Sequence, residues 1–359
     1  MGMPKITIVF KELGITAIQR GARGIMALVL RGALPNVTAE NQVTTVYTTT
    51  DIPTGISDFN KEQIELALMG YQTTPKKIIL YFLPEEEKTY DKALKYLETA
   101  RWDYLVIPTI KDEETTTIAT WIKGLRTQKD IMVKAVLPNT AADTEGVVNF
   151  ATQTITTKAK TFTTAEYCSR IAGMICGTPM TISCTFAPLS EVIDCDHLTS
   201  DERDAAIDAG KLIIFHDGEK VKIARGVNSV ITTIQNKGDS FKKIKLIDAM
   251  DMIHDDIKKT AQDSYLGKYA NSYDNKCLLI TAITGYLDGL VLDGILDPGK
   301  NSIAIDLDQQ RVYLKSKGTD VTEMKDQEIK EANTGDKVFL KGNIKILDAI
   351  EDISLPFYI

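Results

Sequence analysis

Ile78-Ile79-Leu80-Tyr81-Phe82-Leu83 is an unbroken apolar run. A strand wet on one face alternates apolar and polar residues, so a strand without a polar position must be covered on both faces. Outward from it, Tyr90–Ala100 sets Ala93, Leu94 and Leu97 on one helical side, and Tyr104–Ile107 is a second apolar strand. A helix over Glu113–Gln128 and a strand over Ile131–Leu137 complete the series. Apolar strands alternating with amphipathic helices predict a parallel α/β sheet with its core at about 77–137.

Upstream, Ile25–Leu30 is a further apolar run, reached through the glycine-containing link Gln19-Arg20-Gly21-Ala22-Arg23-Gly24. The Thr/Asn-rich stretch Asn36–Thr50 shows no element, and a helix is expected over Asp58–Met69 with Asp58 as cap. Downstream, Gly146–Thr156 is expected as one strand. Thr163–Glu166 and Thr199–Glu202 have capping-box spacing, in which hydroxyl and carboxylate satisfy each other's free backbone amides. Leu212–Phe215, His216-Asp217-Gly218 and Val221–Ala224 predict a hairpin. Beyond Asn236-Lys237-Gly238, Ser240 is the expected cap of a long helix striped by Leu246, Met250, Ile253 and Ile257. A second helix is expected over Lys276–Leu296, a strand at Ile303–Leu307, short helices at Asp308–Lys317 and Lys325–Ala332, and a hairpin of Val338–Leu340 with Ile344–Leu347. The fold class is α/β in the main body and α+β overall, with a mixed C-terminal domain.

The 359 residues allow two or three domains. With 42 basic against 49 acidic residues and a net charge of −7, the chain lacks the cationic excess that nucleic acid or an anionic membrane would select. No apolar run is expected to reach the ~20 residues of a membrane span. Ile6–Phe10 lacks the features of a signal peptide. Five cysteines without a Cys-x-x-Cys pair predict buried thiols rather than a disulfide framework.

Candidate chemistry is sparse. Gly294-Ile-Leu-Asp-Pro-Gly299-Lys300-Asn301 approaches a phosphate-loop pattern, but Asn301 stands where a magnesium-binding hydroxyl belongs. The segment also follows a helix, whereas a phosphate loop follows a strand and opens a helix. Asp194-Cys195-Asp196-His197 lacks partners for four-ligand metal binding, and His254-Asp255-Asp256 is expected as a solvated helix face. No catalytic residue, metal site or cofactor is expected. The terminal stretches are unusual: Ile6, Ile8 and Phe10 alternate with polar residues, as do Ile353, Leu355, Phe357 and Ile359. Two arrangements stay open: pairing within the chain's own sheet, or strand donation to a neighbouring copy.

Several stretches resemble contractile tail sheath proteins: Arg20–Leu30, Phe162–Gly173, Gly210–Ser229, Asn333–Leu340 and Leu347–Asp352. Arg225-Gly226-Val227-Asn228-Ser229 is similar to a signature of that family. The likeness is nearest to short sheaths of Gram-positive myophages, defective prophages and diffocin-like R-type tailocins. The resemblance implies a non-enzymatic subunit that stacks as hexameric rings in a helical sleeve. Its implied partners are further copies of itself, a tail tube, a baseplate and a tail terminator, with assembly in the host cytoplasm before incorporation into a virion tail or tailocin. It also implies interlocking arms at 1–20 and 348–359, an α/β portion at 21–238 lying outside, and a tube-facing domain at 239–347. Gly14, Gly21, Gly24, Asp348 and Asp352 would be hinge links, and Arg311, Lys315 and Lys317 would touch the tube. Competing readings are another tail or baseplate component, and an α/β nucleotide-binding enzyme.

The phosphate-loop mismatch predicts that calorimetric titration with MgATP shows no binding. Micromolar affinity abolished by Lys300→Ala would overturn that reading.

Overall fold

The computed structural model describes residues 16–35 and 42–358. It divides into two compact units. One holds Gly21–Asp255 with the segment from Leu347 onward, and the other holds Asp256–Ile346 with the described residues before Gly21. The division falls inside a helix, later than the expected boundary at residues 238/239.

The larger unit begins with β1 (Ile25–Arg31), β2 (Gln42–Val46), α1 (Asp58–Leu68), β3 (Lys77–Leu83) and α2 (Asp91–Leu97). β4 (Tyr104–Val106), α3 (Asp112–Gln128), β5 (Lys134–Pro138) and β6 (Val147–Phe150) follow. Next come β7 (Ile155–Thr157), β8 (Thr161–Phe162), α4 (Thr164–Cys176), β9 (Val192–Cys195), α5 (Ser200–Asp208), β10 (Lys211–Leu212), β11 (Ile214–His216) and β12 (Val221–Ile223). Seven strands form one sheet in the order β10-β6-β5-β4-β1-β3-β2, parallel except for β2. The expected apolar strands are present, and β1 lies between β3 and β4 inside the sheet.

Alternation along the strands splits the core in two. Met26, Leu28, Leu30, Ile78, Leu80 and Phe82 face the layer of α1 and α4. Ile25, Ala27, Val29, Ile79, Tyr81 and Leu83 face that of α2 and α3. Helices α1 and α4 approach so closely that a Cβ on Gly173 would lie 2.1 Å from the carbonyl oxygen of Ala67. That contact explains a glycine in the middle of α4.

Several expectations are corrected. Ser57, not Asp58, caps α1 by accepting from the Asn60 amide. The stretch Asn36–Thr50 contains β2, antiparallel to β3; its Thr side chains suit an edge strand whose identity comes from its neighbour. The expected strand at Gly146–Thr156 is two strands in different sheets, β6 and β7. Ser240 lies in a 3-10 turn before α6 (Ile244–Thr260) and does not cap it. Both capping boxes, at Thr163 and Thr199, are present.

The segment His254-Asp255-Asp256 is not a solvated face. Asp255 pairs with Arg23 at 3.1 Å, His254 lies 2.9 Å from Asp130, and buried Asp256 accepts from the Tyr286 hydroxyl at 2.8 Å. Asp248, Asp251 and Asp255 form one stripe on α6. Arg126 makes two 2.9 Å bonds to Asp251, and Lys134 reaches Asp251 at 2.6 Å and Asp248 at 2.9 Å. Tyr104 donates to Asp248 at 2.7 Å, while Arg23 reaches Asp103 at 3.0 Å. Burial alone would raise the Asp251 carboxyl, but Lys134 and Arg126 outweigh it and hold it below the usual carboxylate range. For Asp248 burial prevails over Lys134 and the carboxyl is raised.

The smaller unit comprises the last turn of α6, a π-helical turn at Ala261–Tyr265, α7 (Tyr273–Leu292), β13 (Ser302–Ile305), α8 (Leu307–Ser316), α9 (Asp326–Glu331) and β14 (Leu340–Asn343). β13 and β14 form a two-stranded antiparallel sheet. The expected hairpin at 338–347 is therefore wrong: Lys341-Gly342-Asn343 is the strand rather than its turn. Helix α7 also corrects the expectation about apolar runs. It has 20 residues and a mean hydropathy of 1.2, enough by length and composition to cross a membrane, and a third of that window is buried. Asp274, Lys276 and Asp288 interrupt the run, so only its average reveals it.

Removing Asp251 would strip buried Arg126 of its two short ion-pair bonds, leaving only Glu145 at 3.8 Å, and would leave buried Lys134 with Asp248 alone. Asp251→Ala should therefore cost about 3–5 kcal/mol. Urea unfolding of the purified subunit measures this, and a loss below about 1 kcal/mol, the value of an exposed pair, would contradict it.

Candidate functional site

Arg23, Asp103, Tyr104, Lys134, Cys176 and Asp248 line an open cleft of about 250 Å³. Tyr104 and Lys134 open β4 and β5, so this is the amino-terminal end of the parallel strands. Open α/β sheets bind ligands at the other end. The charges along the cleft are engaged with one another, as described above. Among the described residues no group of three or more His, Cys, Asp or Glu converges to hold a metal. The Gly294–Asn301 segment runs from α7 into β13, and the Asn301 side chain donates to the Asp297 carbonyl. It is a turn that ends a helix.

The signature residues assemble around a different place. Asn228 donates its side-chain amide to the Phe241 carbonyl at 2.7 Å, and the Ser229 hydroxyl donates to the Thr144 carbonyl at 2.9 Å. The Gly226 amide donates to the Thr185 hydroxyl at 2.9 Å, and a Cβ there would meet Cys184 Sγ at 2.8 Å. Val227 bridges Lys243 across a short antiparallel contact. Arg225 points at the C-terminal segment, where it pairs with Glu351 at 3.2 Å and with Asp352.

Glu351 is the centre of this site, with only 5% of its side chain exposed. Its Oε1 accepts from the Thr185 hydroxyl at 2.5 Å and the Ser183 hydroxyl at 3.1 Å. Its Oε2 lies 3.2 Å from both Arg225 Nε and Lys243 Nζ. Burial pushes the carboxyl upward, but the Thr185 hydrogen bond and the Lys243 charge outweigh it and hold the pKa below the usual range. Asp348 pairs with Lys243, and the Lys245 ammonium donates to the Leu347 carbonyl. Asp348 and Asp352 are more exposed than Glu351, so each pair contributes only about 0–1 kcal/mol. The buried, charge-assisted contacts to Glu351 are worth more, about 1.5–3 kcal/mol each. Asp348 and Asp352, expected as links, are thus docked on the body.

Beyond them the chain is bare. Ile353, Leu355 and Phe357 are 81%, 67% and 83% exposed, and the segment forms no strand with the described residues. Ile6, Ile8, Phe10, Gly14 and Ile359 lie outside the described residues. Gly24 has φ +73° and sits against the Cys176 carbonyl, with Arg23 beside it held by Asp103 and Asp255. On α8, Arg311 pairs with Asp326 at 2.6 Å, while Lys315 and Lys317 are exposed. The reading from sequence missed Ser183, Thr185, Lys243 and Glu351. No local spacing joins groups more than a hundred residues apart.

Residues 86–229 match the family described as phage tail sheath protein central domain, and residues 236–359 match phage tail sheath C-terminal domain. A tail sheath protein of Clostridium phage phiCD119 is 38% identical, over 99% of this chain and 98% of that protein. The sheath tail protein of Desulfitobacterium hafniense is similar in fold, with 17% identity and a TM-score of 0.71 over 84% of this chain and 94% of that one. The helical sheath of the anti-feeding prophage in its contracted state is also similar, with 16% identity and a TM-score of 0.75 over 100% and 99% of the two chains. With both family models and a 38% identical relative matched along its length, the chain belongs to the phage tail sheath family and is a structural subunit, not an enzyme.

Proposed function

We propose that this subunit assembles in the bacterial host cytoplasm as hexameric rings stacked into a helical sleeve around a tail tube. The sleeve then shortens to drive the tube through a bacterial envelope. The observation that carries this reading is the bare segment Ile353–Tyr358. Three large apolar side chains stand on alternate positions, each at least two-thirds exposed among the described residues. An alternating strand buries such a face only by joining another sheet.

A neighbouring copy offers the acceptor. The β13–β14 ladder has two strands of four residues each. A two-stranded sheet is marginal in water, and its open edges carry unpaired backbone groups. Pro356 lacks an amide, which suits an edge position. Residues Ile6, Ile8 and Phe10 would act as the matching N-terminal donor, with Gly14 and Gly21 as their joint. A sleeve needs heterologous contacts, since only these repeat without closing. Ladders carried on tethered arms survive large shifts between subunits, because the joints absorb the dihedral change.

The smaller unit is the tube-facing part in this reading. Arg311 pairs with Asp326, so Lys315 on α8 and Lys317 just after it, over the Tyr313 ring, are the cations that would meet a tube. Baseplate and terminator proteins would close the two ends of the sleeve.

Deleting Ile353–Ile359 should leave a subunit that melts cooperatively near the wild-type temperature yet forms no sleeves by negative-stain microscopy. Sleeves of normal length would rule out strand donation, and a truncated chain that no longer folds would mean that the segment serves its own body. A second expectation follows if the long state is a kinetic trap held by the tube. Subunits purified without a tube should then assemble only in the short, wide form, and Gly21→Pro should permit assembly on a tube but block shortening. Cryo-microscopy finding long tube-free sleeves would overturn the trap, and normal shortening of the Gly21→Pro sleeve would overturn the joint.

A further inference from the structure

We propose that Ser183, Thr185, Arg225 and Lys243 form a receptor for a single carboxylate, that Glu351 is its ligand, and that this receptor fixes the root of the C-terminal arm so that the arm moves only beyond Asp352. The proposal rests on reading Ile353–Ile359 as an arm, but it concerns the free subunit.

The site is preorganised. The Ser183 hydroxyl accepts from the Thr185 amide at 3.1 Å, and the Thr185 hydroxyl accepts from the Gly226 amide at 2.9 Å. Backbone amides therefore aim both hydroxyls without help from Glu351; the hydroxyls also lie 2.9 Å from each other, and both reach the same carboxylate oxygen. Gly226 is required here, because a Cβ would lie 3.1 Å from Ser183 Oγ and 2.8 Å from Cys184 Sγ and displace the hydroxyl pair. Arg225 and Lys243 bring two positive charges to the other oxygen, and the antiparallel bridge between Val227 and Lys243 sets their spacing. Two hydroxyls on one oxygen and two cations on the other fit a carboxylate and no neutral group. This gives the signature pair Arg225-Gly226 a role: one grips the arm, the other makes room for the grip.

The same geometry relocates the moving joint. A segment clamped at Asp348, Glu351 and Asp352 cannot turn freely, whereas Ile353, Leu355 and Phe357 are mostly exposed among the described residues. Pull on the arm would pass through Glu351 into the Arg225–Ser229 segment and the start of α6, both part of the larger unit. The lowered pKa of Glu351 agrees with a receptor for the charged form. Its contribution is complete above the ordinary glutamate range and is lost as pH falls through the lowered value.

Backbone relaxation by NMR on the full-length free subunit tests this without any sleeve. The wild type should show order parameters of about 0.85 through Asp352 and below about 0.6 from Ile353. Glu351→Gln, which keeps the shape and removes the charge, should move that boundary back to about Leu347. Lys243→Gln should do the same in part, and acidification through the lowered pKa should reproduce the effect in the wild type. A wild-type segment already mobile from Leu347, or a boundary unmoved in both variants, overturns the receptor. Loss of cooperative melting in Glu351→Gln also overturns it, because Glu351 would then be serving the core. If the boundary moves as expected while the Ile353–Ile359 deletion still forms sleeves, the receptor stands and the strand-donation reading fails.

Discussion

Three carboxylates on one stripe of α6 hold the larger unit together. Asp248, Asp251 and Asp255 meet Lys134 on β5, Arg126 on α3 and Arg23 just before β1. An apolar helix face would have docked equally well, and often at lower cost. The ionic version fixes register. Each cation finds a partner at one rotation of the helix, and a slip by one residue would leave several charges buried and unpaired. For a subunit that must bear load, a helix with one permitted position on its sheet is a sensible foundation. The amino-terminal mouth of the sheet is consumed in making it.

The signature Arg225–Ser229 illustrates why a short motif can matter in a protein with no reaction to perform. Asn228 and Ser229 stitch the chain to Phe241 and Thr144, while Arg225 and Gly226 build the grip on the arm. Their side chains are replaceable only by groups that reproduce the same hydrogen bonds in the same confined space.

What could be read from sequence was what local physics determines. The apolar runs at 25–30, 78–83 and 104–107 declare buried strands, and the boxes at Thr163 and Thr199 declare helix starts, since each is settled within a few residues. Strand β2 was hidden because Gln42–Val46 becomes a strand only by pairing with β3. Lys341-Gly342-Asn343 looks like a turn, yet Gly342 faces Ile303 across a ladder, where a Cβ would crowd it at 3.1 Å. The aspartates of α6 look like a wet face until the cations opposite them are known. The arm was legible from its alternation, but its anchor was not, because the donors to Glu351 are scattered along the chain.

The larger unit is interrupted in sequence: it breaks off at Asp255 and resumes at Leu347. During synthesis the receptor groups emerge long before their ligand, since Arg225 precedes Glu351 by 126 residues. At ordinary elongation rates that gap lasts roughly 6–25 s, ample for a domain to fold. Glu351 thus reaches a receptor segment that has had time to fold with the rest of the larger unit.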